Sequence, residues 1–272
     1  MKKLKIIGGI LAALGFALMI VGSIFAAVAG VDYISSDGRW PLRWSVFSEG
    51  NWGVSAGSDP YEVTKTASVE GVTILRLRAD ATEIELVPVS DTKITAEYCQ
   101  KRGSRSFSLT ESAGSITINA KQGVGTVNRE AKLTLSVPAS FLADATCQLE
   151  LSLDACQLSA DDLVCAASVR VDANACDIEM EGLSGALTVD LNAGKGEFAM
   201  SKVTAPISLK SAAAALTLKI PRNSNANVVV ERELSSFEND FDLGRSGGRI
   251  GDGGHDIKFS GAVSGFKLED WD

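Results

Sequence analysis

The sequence predicts an all-β fold, a single-domain β-solenoid with coils of about 18–20 residues, preceded by one N-terminal transmembrane helix. Three observations predict it. Short segments alternate apolar and polar residues, which is typical of half-buried strands. Four of these segments begin at Leu149, Val169, Leu187 and Ile207, in steps of 20, 18 and 20 residues. An uncharged apolar run covers residues 6–31.

The apolar run has the length of a membrane anchor. A membrane-spanning helix needs roughly 20 apolar residues, whereas the core of a cleavable signal has about 7–15. Three lysines in residues 1–5 precede the run, and only Arg39 and Arg43 follow closely. By the positive-inside rule, residues 1–5 form a cytoplasmic head and the rest lies outside. The alternative is a secretory signal that is cleaved near Ala29, within the small-x-small triplet Ala-Val-Ala.

Residues 32–68 are predicted to be a juxtamembrane linker, followed by the extracytoplasmic solenoid over 69–272. The linker holds three of the four tryptophans, Trp40, Trp44 and Trp52. Tryptophan favours the membrane–water interface, so these side chains form either an interfacial collar or a packing contact with the following domain. Neither interpretation implies chemistry.

The repeated segments share one template of twelve places. Apolar residues occupy the first, third, tenth and twelfth places, and polar residues occupy the second and eleventh. Two short strands joined by a turn explain this pattern, and Gly196 is the one clear exception among the inward places. An antiparallel sandwich is the alternative, but it needs Asn-Gly or Asp-Gly hairpin turns, which are few here. The segments begin at Leu75, Phe107, Leu149, Val169, Leu187, Ile207 and Ile257.

Three stretches interrupt the repeat. The runs 132–140 and 216–224 each contain a proline that predicts a strand end, because proline cannot donate to a ladder. Residues 231–256 are charged and then glycine-rich, and we expect them to form a long excursion before a final coil at Ile257. Apolar residues of this excursion are expected to cover an open end of the solenoid. They are Leu234, Phe237 and Phe241.

Diffuse features over residues 69–268 resemble a known group. They are the entry "VEGVTILRLRADATEIELVPVSD", the strand ends "LSVP" and "LKIP", and the closing "GDGGHDIKFSGAVSGFKLED". Together with the lysine-led anchor they resemble the bacterial putative-adhesin family, membrane-anchored β-solenoid surface proteins of unknown function. The chain departs from that pattern with "ACD" at 175–177, "AGK" at 193–195 and alanines at 212–215. The resemblance implies no catalytic residues.

The cysteines follow the repeat. None forms a C-x-x-C pair, and Cys156 and Cys176 are predicted to occupy matching places in successive coils. The favoured interpretation is a ladder of small buried thiols, because free cysteine packs as a compact hydrophobe. A disulfide between the stacked pair and a metal site are the alternatives. The five cysteines are Cys99, Cys147, Cys156, Cys165 and Cys176.

Oxygen-bearing side chains also recur. Asp154, Asp172 and Asp190 are predicted to fall at matching positions, and Asn174 is predicted to stack with Asn192. Stacked oxygens could bind calcium, but the glycine-rich nonapeptide pattern of calcium-binding solenoids is absent from the sequence. Aspartate and asparagine at strand ends commonly cap turns, and this is the favoured interpretation.

Two further candidates for acid–base chemistry lack partners in the sequence. Glu179 and Glu197 are predicted to be outward neighbours on one face, where Lys195 and Asp177 would complete a solvated ladder of charges. His255 is the only histidine, and no serine or cysteine nucleophile accompanies it in a recognisable pattern. We therefore predict no catalytic, cofactor-binding or metal-binding residues and no enzyme activity.

The predicted role is a cell-surface interaction or envelope-structural module with an envelope polymer or a protein as partner. A formal net charge of −8 argues against nucleic acid as a partner. One alternative is an accessory protein of envelope-stress signalling that works through a membrane partner. Gly8, Gly15 and Gly22 recur every seven residues and could form that helix contact. A polysaccharide-acting β-helix enzyme is the less favoured alternative, because the outward residues are small and mixed.

Overall fold

Alternation of buried and exposed side chains runs through almost every element of the computed structural model. The structure describes residues 61–100, 105–122, 131–232 and 236–271. These ranges contain eighteen strands and one helix, a single turn at Ala139–Leu142 that we label α1. The predicted all-β class is confirmed.

The strands are numbered in chain order. Their bounds are β1 Tyr61–Ser68, β2 Ile74–Asp80, β3 Glu83–Val89, β4 Lys93–Gln100, β5 Arg105–Ser112, β6 Ser115–Gln122, β7 Ala131–Pro138, β8 Gln148–Asp154, β9 Gln157–Ala160, β10 Ser168–Asn174, β11 Cys176–Leu183, β12 Leu187–Met200, β13 Ile207–Ile220, β14 Ala226–Arg232, β15 Ser236–Asn239, β16 Gly247–Ile250, β17 His255–Gly261 and β18 Gly265–Asp270.

Two hydrogen-bonded ladders organise these strands. Ladder A runs in the order β5, β6, β2, β8, β10, the first half of β12, the first half of β13, β17, β14 and β16. Ladder B runs in the order β1, β4, β7, β3, β9, β11, the second half of β12, the second half of β13, β18 and β15. Because β12 and β13 pass through both ladders, all eighteen strands belong to one sheet.

The interior pairs of both ladders are parallel and in register. In ladder A, Val169 pairs with Leu149 on one side and Leu187 on the other, and Leu187 pairs with Ile207. This is the alignment that the 20, 18 and 20 residue steps predict, so that prediction is confirmed. Antiparallel pairs occur only towards the ends of the ladders, at β5–β6, β1–β4, β4–β7 and β14–β16 among the described strands.

We use the word rung for one strand of ladder A and the ladder B strand that follows it along the chain. The order of rungs in space differs from their order in sequence at both ends. The β2/β3 rung lies between β6/β7 and β8/β9, although it precedes both in the chain. The β17/β18 rung lies between β13 and β14/β15, although it follows both.

The inward side chains of the two ladders form one continuous hydrophobic core. Its largest fully buried members are Tyr98, Phe198, Phe259 and Phe266. Leucine, isoleucine and valine supply most of the rest, so each rung buries thin aliphatic rows against its neighbours. The exception predicted at Gly196 has a packing reason. A Cβ there would lie 2.7 Å from Leu216 Cδ2 and 2.8 Å from Phe198 Cε2, so these side chains already fill its place.

The corners between the ladders use a backbone conformation that is unusual for alanine. Ala81, Ala155 and Ala175 have φ of 48°, 53° and 53°. Each lies at the same place in successive rungs, just before an inward residue at the start of the ladder B strand. A left-handed residue there turns the chain from one ladder into the other, at a conformational cost of roughly 1–2 kcal/mol for a residue with a Cβ.

Three sequence predictions about the elements are wrong. The segment at Phe107 is an antiparallel hairpin of β5 and β6, not a coil, and the Phe107 ring stacks on Tyr98 of ladder B at 4.9 Å. Residues 231–256 are not an excursion, because they include β15 and β16 and complete an outer rung. The sheet also begins at Tyr61, within the predicted linker, because β1 pairs with β4 along its whole length.

The other predictions about the elements are either confirmed or lie outside the described residues. Strand β7 ends at Pro138, and β13 ends at Ile220 just before Pro221, as the prolines predict. Phe237 and Phe241 pack against the core, whereas Leu234 lies outside the described residues. The predicted head, anchor, cleavage site and tryptophans also lie outside them. Within the described ranges, none of the helical structure reaches the length and hydropathy of a membrane span.

Candidate functional site

The outward surface of ladder A carries charges that pair between rungs. Arg76 is in register with Glu150, and its Nε lies 2.6 Å from the Glu150 carboxylate. Further along the ladder, Lys210 Nζ lies 2.7 Å from Asp190, its partner in register. These pairs occupy positions that the in-out alternation makes outward, so they cross the surface from strand to strand.

The three predicted aspartates do not share one row. Asp172 is in register with Asp190, as predicted, but Asp154 is in register with Asn174 and Asp80. The step from β8 to β10 is 20 residues, which places residue 174, not 172, beside residue 154. Asn174 Nδ2 donates a hydrogen bond to Asp154 Oδ1 at 3.0 Å. The amide therefore satisfies the carboxylate across the two strands, which is a structural arrangement but not the capping of a turn through its own backbone.

Asn174 and Asn192 were predicted to stack, but they are not paired in the sheet. The β10–β12 register ends one position earlier, where Ala173 pairs with Leu191. Asn192 is exposed. Within the described part of the chain, no group of three or more histidine, cysteine, aspartate or glutamate side chains is placed to hold a metal ion.

In ladder B, Glu179 and Glu197 are neighbours in register, as predicted. Glu197 is bound between two lysines: Lys195 Nζ lies 3.1 Å away, and Lys219 Nζ makes a closer ion pair. The hydrogen bond from Lys219 is the main cause that lowers the pKa of Glu197, and Lys195 adds to it. The same hydrogen bond raises the pKa of Lys219. This carboxylate is held ionised in an ion pair, which is a structural arrangement and not that of a proton donor.

Sequence reasoning did not identify Lys219. It lies one rung beyond Glu197 and two residues past Thr217, which is in register with Glu197. The signal was present in the 20-residue step, because residues 217 and 219 project from the same face of a strand. Lys132 makes a similar cross-rung contact, 2.9 Å from Glu85.

A shallow depression lies on ladder B at the short strand β9. Strand β9 has four residues, and its outward Ser159 is a short side chain between Glu85 and Glu179 in the same row. Two cavities open there, of about 350 Å³ and about 140 Å³. Asp161 and Asp162 line the larger one, and Lys195 and Glu197 line the smaller one. Six of the fourteen lining residues are acidic and one is basic, so the charge of the lining is mainly negative.

The cysteines are free thiols, as the favoured interpretation predicts. Four are buried, whereas Cys99 is half-buried on β4. Burial raises the pKa of Cys165 to about 11, and it also raises the pKa of Cys147. These two thiols therefore stay protonated at neutral pH and act as small apolar side chains.

Cys156 and Cys176 meet at the corner between the ladders. The main-chain N–H of Cys156 donates to Cys176 Sγ at 3.3 Å, and the two thiols are hydrogen-bonded to each other. That side-chain hydrogen bond raises the pKa of Cys156 and lowers the pKa of Cys176. The prediction that they occupy matching places is confirmed. Among the described cysteines, they are the pair in which a sulfur of one residue accepts a hydrogen bond from the other.

His255 lies in a different ladder from Glu179 and Glu197. It begins β17 in ladder A, where it pairs with Ala226 of β14, whereas Glu179 and Glu197 belong to ladder B. Its main-chain N–H donates to the Asn225 carbonyl at 3.2 Å. The glycines around it serve the turn from β16 into β17, where Gly251 and Gly253 have positive φ.

Comparison with solved structures gives matches at low identity. A putative cell adhesion protein from Clostridium sporogenes aligns over 78% of this chain and 100% of its own, with 9% identity and a TM-score of 0.49. A putative adhesin from Bacteroides fragilis aligns over 76% and 97%, with 9% identity and a TM-score of 0.34. One from Parabacteroides merdae aligns over 78% and 96%, with 9% identity and a TM-score of 0.27.

These neighbours are described as putative adhesins or as a putative cell adhesion protein. With identities near 9% and TM-scores below 0.5, they do not assign a function to this chain. No family model matches the chain, and no curated protein matches it.

Proposed function

We propose that the chain is a membrane-anchored, extracytoplasmic β-solenoid that acts as a cell-surface interaction or envelope-structural module without catalysis. The observation that carries the proposal is the parallel register of the interior strands in both ladders, which shifts in ladder B between Met180 and Leu183 of β11. It gives each rung the same outward positions at a spacing of about 4.8 Å. Such stacking is the arrangement by which solenoids offer long binding surfaces.

The outward charges support a binding role more than a reactive one. Glu197 is engaged by two lysines, and Arg76, Asp190 and Lys132 each have an ion-pair partner in a neighbouring rung. An acid–base catalyst needs a group that can gain or lose a proton near neutral pH. Carboxylates that are held ionised by lysines favour a stable surface instead.

The location is part of the proposal and rests on the sequence. The uncharged run at residues 6–31 and the lysines before it are what favour an anchor with its start in the cytoplasm. A polymer or protein of the envelope is the partner that this location would offer. The depression over Ser159 is where we expect contact, because it is the concave part of ladder B and its acidic lining suits a partner that presents amines or hydroxyls.

The location is tested on cells that express the full chain. Membranes are washed with alkaline carbonate, and intact cells are treated with protease. We expect the protein to stay in the membrane pellet at full length and to be degraded from outside. Recovery of a soluble, shortened chain would contradict the anchor, and protection of the chain in intact cells would contradict the outside location.

The binding role is tested with the full chain in detergent and isolated cell envelopes, by co-sedimentation. Two matched variants divide the surface: Ser159→Arg fills the depression on ladder B, and Ser152→Arg alters an exposed position on ladder A. We expect Ser159→Arg to weaken binding at least tenfold and Ser152→Arg to leave it unchanged. Equal loss in both variants, no sedimentation of the wild-type chain, or release of cleaved envelope fragments by it would contradict the proposal.

A further inference from the structure

We propose that Cys156 and Cys176 are a redox modification site, at which a peroxide converts the two thiols into a disulfide that joins neighbouring rungs. The pair stands apart from the other buried thiols. All four contact main-chain carbonyls, but in the described structure only Cys176 Sγ also accepts a hydrogen bond from another cysteine, from the main-chain N–H of Cys156. This inference is independent of what the outward faces bind.

The backbone brings the two residues to bonding range. Gln157 pairs with Asp177 in register, so the residues before them, Cys156 and Cys176, lie opposite each other. Main-chain hydrogen bonds close the corner on both sides: Ala155 N–H donates to the Asn174 carbonyl at 2.9 Å, and Asp177 N–H donates to the Cys156 carbonyl at 3.0 Å. Parallel strands held in this way lie about 4.8 Å apart, within the 4.4–6.8 Å Cα separation of disulfides.

The corner also orients the side chains. Ala155 and Ala175 have the same left-handed φ of 53°, so both chains turn inward in the same sense just before the cysteine. A disulfide in the middle of a flat parallel ladder is strained, because neighbouring side chains there point the same way. At this corner the hydrogen bond from Cys156 N–H to Cys176 Sγ, at 3.3 Å, instead draws the sulfur of one rung towards the backbone of the other.

The contacts assign different roles to the two sulfurs. Cys176 Sγ accepts a hydrogen bond from the Cys156 main chain at 3.3 Å and another from the Cys156 thiol, and both stabilise negative charge on Cys176. Both thiols also contact main-chain carbonyl oxygens, Cys156 Sγ those of Ala79 at 3.4 Å and Asp154 at 3.3 Å and Cys176 Sγ that of Asn174 at 3.2 Å, so the difference between them lies in the hydrogen bonds that Cys176 accepts from Cys156. Cys176 is therefore the sulfur that reacts first.

The reaction balances with hydrogen peroxide as the two-electron oxidant. The Cys176 thiolate attacks one peroxide oxygen, an S–O bond forms, the O–O bond breaks, and hydroxide leaves and takes up a proton to become water. The Cys156 thiol loses its proton, and its sulfur attacks the Cys176 sulfenic acid. The S–S bond forms, the S–O bond breaks, and a second water leaves. Two thiols and one peroxide thus give one disulfide and two waters.

A small oxidant suits the position of the pair. Cys156 is 4% exposed and Cys176 is 1% exposed, yet the preceding alanines at both corners are exposed. Each buried cysteine thus directly follows an exposed residue in the chain. The bridge would fasten β9, the four-residue strand of ladder B that borders the depression, to β11.

The test treats the full chain in detergent with hydrogen peroxide, removes the excess with catalase and alkylates the remaining thiols under denaturing conditions. We expect two of the five thiols to be lost, leaving three, and a non-reducing peptide map to contain a Cys156–Cys176 linked pair. Dithiothreitol should restore all five. Five alkylated thiols after treatment, or a linked pair of any other composition, would overturn the proposal.

Single variants test the order of the two steps. In Cys156→Ala, the Cys176 sulfenic acid has no partner and should be trapped by dimedone, whereas in Cys176→Ala dimedone should label Cys156 at least tenfold less. Cys165→Ala is the matched control, since it removes a buried thiol elsewhere and should form the bridge as the wild type does. Equal dimedone labelling in the first two variants, with native circular dichroism, would remove the assigned order. If a variant does not fold, the wild-type peptide map still decides whether the bridge forms.

Discussion

Gly194 lies so close to Cys176 of the neighbouring rung that a Cβ on Gly194 would stand 2.0 Å from the Cys176 carbonyl oxygen. The two residues are partners in register between β11 and β12. Gly194 also has a φ of 114°, outside the range that side chains favour. This position therefore needs glycine for two separate reasons, the conformation and the contact.

Gly194→Ala should lower the free energy of unfolding by about 3 kcal/mol, because it adds a backbone contact to the conformational strain. Gly71→Ala is the matched control, since Gly71 has a φ of 72° but no atom within 4 Å of its Cβ position. It should lose only about 1 kcal/mol. Urea unfolding followed by circular dichroism measures both, and equal losses would show that the contact with Cys176 adds nothing.

Ala175→Gly should raise the free energy of unfolding by up to about 1 kcal/mol, because glycine relieves the left-handed strain at φ 53°. Ala173→Gly, two residues earlier on the buried face of β10, has no such strain to relieve. It should lower the free energy of unfolding by about 1 kcal/mol. Thermal and urea unfolding of both variants give the signs, and a stabilising Ala173→Gly would contradict this account of the corner.

Glu197→Gln should remove stability in a pH-dependent manner. The folded-state pKa of Glu197 lies below its ordinary value, chiefly through the Lys219 hydrogen bond. The ionised group thus stabilises the fold above the unfolded-state pKa, and this stability is lost as the pH falls through the folded-state pKa. We expect a loss of about 1 kcal/mol at pH 7 that disappears in acid.

The control for this variant is Glu179→Gln. Glu179 lies in the same row of ladder B but makes no ion pair with any residue that the structure describes. Its substitution should change the free energy of unfolding by less than about 0.5 kcal/mol at either pH, as is usual for surface positions. Urea titrations at neutral and acid pH separate the two variants. A constant difference between wild type and Glu197→Gln across pH would contradict the ion-pair explanation.

Gly196→Ala should destabilise the protein because its Cβ would meet Leu216 Cδ2 and Phe198 Cε2 at less than 3 Å. Overpacking of this kind typically costs about 1–3 kcal/mol. In a Leu216→Ala background the added methyl group gains room, so the second substitution should cost less there. A double-mutant cycle by urea unfolding measures this coupling, and strict additivity of the two changes would show that the side chains do not share the space.

The register of the central rungs can be predicted from the sequence, because it follows from a repeat between neighbouring segments of the chain. Each rung from Leu149 to Ile220 repeats its outward and inward places after 18 or 20 residues, and the parallel pairs follow that count. Counting also explains the error at Asp154, which was aligned with Asp172 although the step of 20 leads to Asn174.

The hairpin at Phe107 could not be recognised from its amino-acid sequence. Ala-Gly occurs at residues 113–114, where Gly114 has a φ of 73° in the hairpin of β5 and β6, and again at 193–194 within the continuous strand β12. The same dipeptide thus serves a chain reversal and a corner. The difference lies in which neighbours the following strand meets, and that depends on rungs distant in sequence. Lys219 was missed for a different reason, because the 20-residue step leads from Glu197 to Thr217 and the ion pair is made by the next residue on the same face.

The position of the β17/β18 rung has a consequence for synthesis on the ribosome. This rung follows β14 and β15 in the chain, yet among the described strands β14 and β15 are joined to β13 by strand pairing only through it. A nascent chain that has emerged as far as residue 250 therefore holds an outer layer with nothing to dock on, and it presents the bare edge of β13. That edge is a template for pairing with other chains until β17 and β18 are in place. Chains truncated before His255 should thus be prone to aggregation, because the edge of β13 stays unpaired.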